Sequence, residues 1–424
     1  MRFIHTADVH LDSPLLRLNR YDGAPVEAFR SATRRAFENL VGLAIEKNVD
    51  FVLIAGDLYD GECKDMNTPI AFRKCLRELG EHGIDVYIVQ GNHDAQSKVS
   101  KAFRLDPPKG THIFGTRSAS TVTFKVGEQE VAIHGQGFAT AAVEDNLAAD
   151  YPDAVAHHFN IGLLHTNCGG SSDHGNYAPS TVAQLVTKNY DYWALGHVHK
   201  RQVLHERQPW IGYPGNLQGR SMQETGEKGC SLVTVEGGEV IDVAFHCVDH
   251  CRWEAVRIDA SECKSGREVV SAVMQGIADC LDGIGDRLLA TRVEVTGASQ
   301  AHGELTLHER HFDDEIRSTA VNRFDEQVWV EKIRFRTRLP AEVAQAEIGD
   351  GALAGLLDGL CDNAALHEAF AEVTVELDAL RAEVPTDPRL DEILPDLEDA
   401  EVRAKLLDDV KQLLVPRLVS GGRS

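Results

Sequence analysis

A chain of 424 residues with 43% hydrophobic and 26% charged residues reads as a soluble globular protein of two or three domains, at about 100 to 200 residues per domain. It contains no run of about 18 apolar residues to span a bilayer, and its opening "MRFIHTADVH" lacks the unbroken apolar core of a secretion signal, so a cytoplasmic protein is expected. The formal charge of −23 excludes broad electrostatic adhesion to nucleic acid, because such affinity comes largely from Lys and Arg on phosphates; any DNA binding must be local, or shared with a cation or a partner.

The first strand is expected over "RFIHTA". Next comes a helix over "PVEAFRSATRRAFENLVGLAIEKN", whose apolar positions Phe29, Ala32, Ala36, Phe37, Leu40, Val41, Ala44 and Ile45 recur at helical spacing. "VDFVLIAG" is a buried strand, "TPIAFRKCLRELGEHG" a helix and "IDVYIVQG" a strand; "VAIHGQG", "FNIGLLHT" and "YDYWALG" follow, the last two separated by a helix over "PSTVAQLVTKN". This alternation is that of an α/β core. Past residue 200 short strands and turns take over ("RQVLHE", "QPWIGYPG", "GCSLVTVEGGEVIDVAFHC"), which suggests an antiparallel return completing a second sheet.

The core is expected to span residues 1–250. Residues 251–340 read as a small α+β domain: strand "RWEAVRIDA", helix "GREVVSAVMQGIADCLD", strand "LLATRVEVTG", a polar segment, then strand "VWVEKIRFRTR". Residues 341–424 carry 19 acidic against seven basic residues, a net of −12, and read as an acidic helical segment with Val402, Leu406, Val410, Leu413 and Leu414 on one stripe. Nine cysteines with no C-x-x-C pair fit reduced thiols. The cluster "HCVDHC" (His246 to Cys251) lacks a second ligand pair at zinc spacing and reads as strand-end residues.

Chemistry-bearing residues gather directly after the apolar strands: Asp8 and His10 in "ADVH", Asp57 in "GDLYD", Asn92, His93 and Asp94 in "GNHD", His165 in "LLHTN", and His197 and His199 in "GHVH". Ligands gather at the carboxyl ends of strands in open α/β sheets. Taken singly, each residue reads as a turn, a cap or a hydrogen-bonded core residue. Five such segments in order read as a metal site, and their mixed nitrogen and oxygen donors suit Mn²⁺, Fe²⁺ or Zn²⁺ better than an all-oxygen Mg²⁺ site.

D-x-H, G-D-x-x-D, G-N-H-D, a lone His after an apolar strand and G-H-x-H are the ordered motifs of the calcineurin-like metallophosphoesterases, which residues 1–250 resemble. Within that superfamily "FIHTADVHLDSPL" and "GYPGNLQGRSMQETGEKGC" resemble the DNA repair exonuclease branch, its SbcD-like and especially its YhaO-type members. The resemblance implies a four-layer α-β-β-α sandwich with a small α+β cap domain. By position it implies one ion held by Asp8, His10 and His199 and another by Asn92, His165 and His197, with Asp57 bridging and Asp60 a turn or supporting residue. Such a pair, about 3.5–4 Å apart, activates a water for attack on phosphorus.

His93 is then left to protonate the leaving oxygen, or else to hydrogen-bond phosphate, with Asp94 a candidate to orient it. Lys200, Arg201 and Arg220 could touch a phosphate backbone or simply be solvated; His5 and His134 read as core, and the roles of Asn216 and Gln218 stay open. The resemblance implies a DNA exonuclease with endonuclease activity and an SMC-like ATPase partner; this chain has no G-x-x-x-x-G-K-[ST] loop, so any ATP step is expected to come from another polypeptide. Homodimer formation is implied by the resemblance alone. Two alternatives stay open, a phosphatase or cyclic-nucleotide phosphodiesterase and a mainly structural subunit of an ATPase complex.

Overall fold

A computed structural model describes residues 1–11, 13, 26–60, 67–96, 107–170, 175–343, 370–377, 379, 397 and 399–421. Cys63, Cys361, the Phe29 side chain and much of the acidic segment lie outside the described residues. The chain divides into two compact units. Met1–Ala255, Leu281–Thr291 and Phe324–Glu331 form the first, and Val256–Cys280, Arg292–Arg323 and Lys332–Ser424 the second.

The first unit is built on two six-stranded sheets. One has the order β12-β11-β1-β2-β3-β4, from β1 (Arg2–Thr6), β2 (Phe51–Ala55), β3 (Asp85–Val89), β4 (Thr111–Ile113), β11 (Gly229–Glu236) and β12 (Glu239–Cys247). The other has the order β5-β6-β7-β8-β10-β9, from β5 (Ser120–Val126), β6 (Gln129–Gln136), β7 (Phe159–His165), β8 (Tyr192–Gly196), β9 (Gln202–His205) and β10 (Trp210–Tyr213).

Strand periodicity explains the layers. On β2, Val52 and Ile54 face one core while Phe51, Leu53 and Ala55 face another, so "FVLIA" is apolar at every position. The first core packs helices α1 (Val26–Glu46) and α2 (Asn67–Glu81) onto the sheet through Phe37, Leu40, Val41, Phe72, Leu76 and Leu79. The second lies between the sheets, with Phe3 and Phe51 stacked at 4.9 Å. On the outer face of the second sheet, Trp193 and Leu195 pack with Leu185 of the short helix α4 (Val182–Thr187). The order is helix, sheet, sheet, helix, the sandwich expected.

Two expectations are corrected. β9 and β10 do join the second sheet, though β10 runs parallel to β8 and only the β9–β10 pair is antiparallel, and the hairpin β11–β12 does not: β11 runs antiparallel to β1 and extends the first. β1 would otherwise present an unpaired inner edge to this hairpin, and the edge's N–H and C=O groups recruit it. In the second unit, the polar segment between β14 (Leu288–Ala298) and β15 (Val328–Arg338) contains helices α6 (His302–Leu307) and α7 (Glu309–Phe324). Phe312, Ile316 and Ala320, four apart, are buried on α7, so a narrow apolar stripe suffices amid many charges.

A three-stranded sheet, β13-β14-β15, with β13 (Cys251–Asp259) first, accompanies helix α5 (Gly266–Ile284). The acidic stretch contributes α8 (Ala400–Gly421) to the second unit, where the Gln412 carbonyl contacts His302 Nε2 at 3.0 Å and Gln412 Oε1 accepts from Leu339 N. The expected stripe is split: Val410 and Leu413 are exposed, while Val402, Leu406 and Leu414 are partly covered. Among the described residues no helix is long and apolar enough to cross a membrane, and the seven described cysteines are free.

Candidate metal centre

Both sheets deliver their strand ends to one place. Asp8 and His10 follow β1, Asp57 follows β2, Asn92 opens helix α3 (Asn92–Gln96) after β3, His165 ends β7, and His197 and His199 follow β8. The backbone there is held in an uncommon state: Asp8, His10, Asp57 and His197 have φ of 50°, 46°, 52° and 107°. Left-handed conformations cost non-glycine residues free energy and cluster where function over-determines the backbone. Asp8 N donates to Gly56 O and His10 N to Asp57 O, and these bonds hold the turns.

Two glycines are required by close approach. A Cβ on Gly56, itself at φ +96°, would meet the His165 ring, and one on Gly91 would meet the Asp57 carboxylate. The glycines of "GDLYD" and "GNHD" therefore make room for the neighbouring side chains.

The histidines are oriented by their outer nitrogens. His165 Nδ1 donates to Ala55 O at 2.9 Å, His197 Nε2 to Gly175 O at 2.8 Å, and His199 Nδ1 to Glu224 Oε1 at 2.8 Å. Each acceptor has only lone pairs, so in the neutral imidazoles the other nitrogen carries one too. His165 Nε2 thus faces two acceptors, Asn92 Oδ1 at 3.0 Å and Asp57 Oδ2 at 3.5 Å, and His199 Nε2 lies 3.1 Å from His10 Nε2 and 4.0 Å from Asp8 Oδ1.

Facing lone pairs around buried carboxylates are the arrangement a cation resolves, and the donor set fits a borderline divalent ion. His10 Nδ1, buried without a hydrogen-bond partner, adds to the polar groups concentrated there. Donor atoms of Asp8, His10 and His199, and of Asp8, Asp57 and His165, lie within 4.8 Å of one another; so do those of His10, Asp60 and His93. Burial and the charge of Asp57 push Asp8 well above the carboxylate range, and burial raises Asp57 to about 6. Burial and the charges of Arg220 and His199 push His10 well below the imidazole range. In each case burial disfavours the charged form, raising the carboxylates and lowering the imidazole.

His93 and Asp60 lie at the rim. Asp60 Oδ1 is 2.7 Å from His93 Nδ1, and the His93 side chain is 39% exposed. Burial opposes ionisation of Asp60, but hydrogen bonds from His93 and Ser13 hold it at about 2; that same bond raises His93. The expected orienting carboxylate, Asp94, is placed otherwise: buried, it accepts from the backbone N–H groups of Leu58, Tyr59 and Gly91, and so ties the "GDLYD" turn to the "GNHD" turn. A side chain one residue along a helix from His93 points away from it, which leaves the imidazole to a residue from another strand.

Arg220 is no free surface cation. Its guanidinium reaches Glu224 Oε1 at 3.1 Å and Asp60 Oδ2 at 3.4 Å. Lys200 and Arg201 are exposed, Arg201 lying 4.9 Å over the Phe245 ring. Buried Asn216 donates to Glu224 Oε2, and Gln218 Oε1 accepts from His250 N and Cys251 N, fastening this loop to the start of β13. His5 is buried against Tyr192 OH and Leu195 O, and His134 against Thr121 and Asn160. Sequence reasoning missed Glu224, whose only signal was its place in the quoted "GRSMQETGEK".

A calcineurin-like phosphoesterase family profile matches residues 1–201, and one for the middle domain of metallophosphoesterase YhaO matches residues 253–338. The chain is 35% identical over 280 residues to the uncharacterized metallophosphoesterase YhaO of Bacillus subtilis, covering 66% of this chain and 67% of that one. This chain belongs to the calcineurin-like metallophosphoesterase family and is a metal-dependent phosphoesterase. It is 24% identical to the DNA double-strand break repair protein Mre11 of Thermoplasma acidophilum, over 56% of this chain and 63% of that protein, a little under two thirds of its length. To a subunit of the nuclease SbcCD of Bacillus subtilis it is 21% identical, over 56% of this chain and 67% of that relative.

Proposed function

We propose that the protein is a dinuclear phosphodiesterase acting on DNA, an exonuclease and endonuclease of DNA repair. Asp8, His10 and His199 would hold one ion, Asn92, His165 and His197 the other, and Asp57 both; Mn²⁺ is the ion proposed, and the mixed donor set suits Fe²⁺ and Zn²⁺ as well. Bound there, two divalent ions supply Lewis-acid charge to the phosphoryl oxygens and lower the pKa of a water. The observation that carries the hydrolytic part is the inward lone pairs of His165 and His199 around Asp57 and Asp8, their outer nitrogens being engaged by Ala55 O and Glu224.

The chain's own residues do the rest. His93, whose pKa the Asp60 hydrogen bond raises, would act as the imidazolium: Nδ1–H stays with Asp60 and the Nε2 proton passes to the leaving oxygen, which leaves a neutral ring. The DNA substrate is supported by similarity to an Mre11 protein and to a component of a nuclease. Residues 1–250 would be the catalytic domain, 251–340 a cap, and 341–424 the segment that docks an SMC-like ATPase, to which the exposed Val410 and Leu413 of α8 would contribute.

Purified protein with Mn²⁺ is incubated with end-labelled duplex and single-stranded DNA and with bis-p-nitrophenyl phosphate, alongside His93→Ala. Nucleotide release from labelled DNA, lost in the variant while its metal content persists, is the expected result. Cleavage of the small ester alone, with DNA intact, would overturn the DNA assignment. Deleting residues from 385 onward should abolish co-purification with the ATPase, and unchanged co-purification removes the docking role.

A further inference from the structure

We propose that Glu224 and Arg220 are positioning residues for the hydrolysis: Glu224 holds the His199 ring in its ligand orientation, and Arg220 carries that restraint across to Asp60 and so to His93. The inference rests on the metal-centre reading above. Its basis is one continuous chain of contacts, His93 Nδ1 to Asp60 at 2.7 Å, Asp60 to Arg220 Nη1 at 3.4 Å, Arg220 Nη2 to Glu224 at 3.1 Å, and Glu224 to His199 Nδ1 at 2.8 Å. It runs from His93, on α3 after a strand of the first sheet, to His199, in the turn after a strand of the second.

Glu224 is built for this task. Its Oε1 takes His199 Nδ1 and Arg220 Nη2, and its Oε2 takes Asn216 Nδ2 at 3.0 Å and Arg220 N at 2.8 Å. Its side chain is only 14% exposed. Every neighbour is a donor, so both oxygens must accept. A glutamine cannot reproduce this, because whichever way the amide turns, its NH₂ meets donors. The His199 carbonyl is held too, by Asn216 N at 3.1 Å, so the same loop grips ring and backbone.

Arg220 has the shape the bridge requires. Its planar fork sends Nε and Nη2 toward Glu224 and Nη1 toward Asp60, whereas a lysine's single nitrogen can serve one carboxylate well. Outer partners of ligating histidines commonly govern metal affinity by roughly 10- to 100-fold. Burial opposes ionisation of Glu224, yet hydrogen bonding from His199 and the charge of Arg220 keep it far below the usual carboxylate range.

The test titrates metal-free wild type and Glu224→Gln with Mn²⁺ in a calorimeter. Two sites are expected in the wild type, and in the variant one of them weakened by roughly 10- to 100-fold with the other unchanged. Identical isotherms would overturn this proposal while leaving the dinuclear reading intact; a wild type that binds no Mn²⁺ would overturn the reading beneath it. Arg220→Lys supplies the second arm, and the deciding one should Glu224→Gln not fold. Both ions should stay bound, and kcat on a thymidine phosphodiester should fall by about 10-fold or more while bis-p-nitrophenyl phosphate, whose leaving group needs no proton, is spared. Equal loss on both esters, or loss on neither, refutes the link through Asp60.

Discussion

Asp60 reaches His93 from the turn after β2, Oδ1 to Nδ1 at 2.7 Å, although Asp94 is next to His93 in sequence and its oxygens accept from Leu58, Tyr59 and Gly91 instead. One carboxylate holds an imidazole and the other holds two loops together. Asp60→Asn should therefore lower kcat on diesters with poor leaving groups by about 10-fold or more, with little loss of metal. Asp94→Asn should instead lower stability, by about 1–3 kcal/mol, because its amide NH₂ turns toward backbone donors and leaves a buried N–H unpaired. Kinetics on two leaving groups and a urea melt of each variant separate the roles; matching profiles would contradict them.

Asp8 and Asp57, 1% exposed each, need a counter-charge to be buried as anions. Chelator treatment should lower the melting temperature. Mn²⁺ restored at a hundred times its dissociation constant should add about 2.7 kcal/mol per site. A melting curve indifferent to Mn²⁺ speaks against a cation at these carboxylates.

Gly91 leaves no room for a side chain beside the Asp57 carboxylate. In Gly91→Ala that carboxylate or the turn must move. Metal content should fall well below the wild-type stoichiometry, at a stability cost of about 1–3 kcal/mol. Full metal loading of the alanine variant, measured by plasma emission, would show the approach to be less tight than drawn.

His5 is fully buried between Tyr192 and Leu195, and burial lowers its pKa to about 3. Below about pH 6.5 the unfolded chain protonates this ring while the folded protein leaves it neutral, so stability falls with pH. Between about pH 7 and pH 5.5 the loss from this residue is about 1.3 kcal/mol. Urea unfolding of His5→Gln should show that much less acid sensitivity than the wild type, and parallel slopes would contradict it.

Asp249 is buried between two guanidiniums, with Arg252 Nη2 at 3.0 Å and Arg287 Nε at 2.9 Å. Asp249→Ala strands both positive charges and should cost about 3–5 kcal/mol. Denaturant unfolding checks the figure, and a loss below about 1 kcal/mol would mean that water reaches the pair.

Much of this protein is written in short-range pattern. Runs such as "FVLIA" declare strands covered on both faces, and the Asp, Asn and His that follow them declare which donor atoms crowd the strand ends, because period and strand polarity are local properties of a chain. Tertiary structure decided what locality cannot: that β11 pairs with β1, that Asp60 rather than Asp94 meets His93, and that Glu224 takes His199. The stretch around α7 likewise reads as merely polar until packing buries its stripe of Phe312, Ile316 and Ala320. A hydrogen bond selects its partner by distance and direction in three dimensions, and residues 25 or more apart in the chain, as His199 and Glu224 are, acquire both only when the sheets have packed.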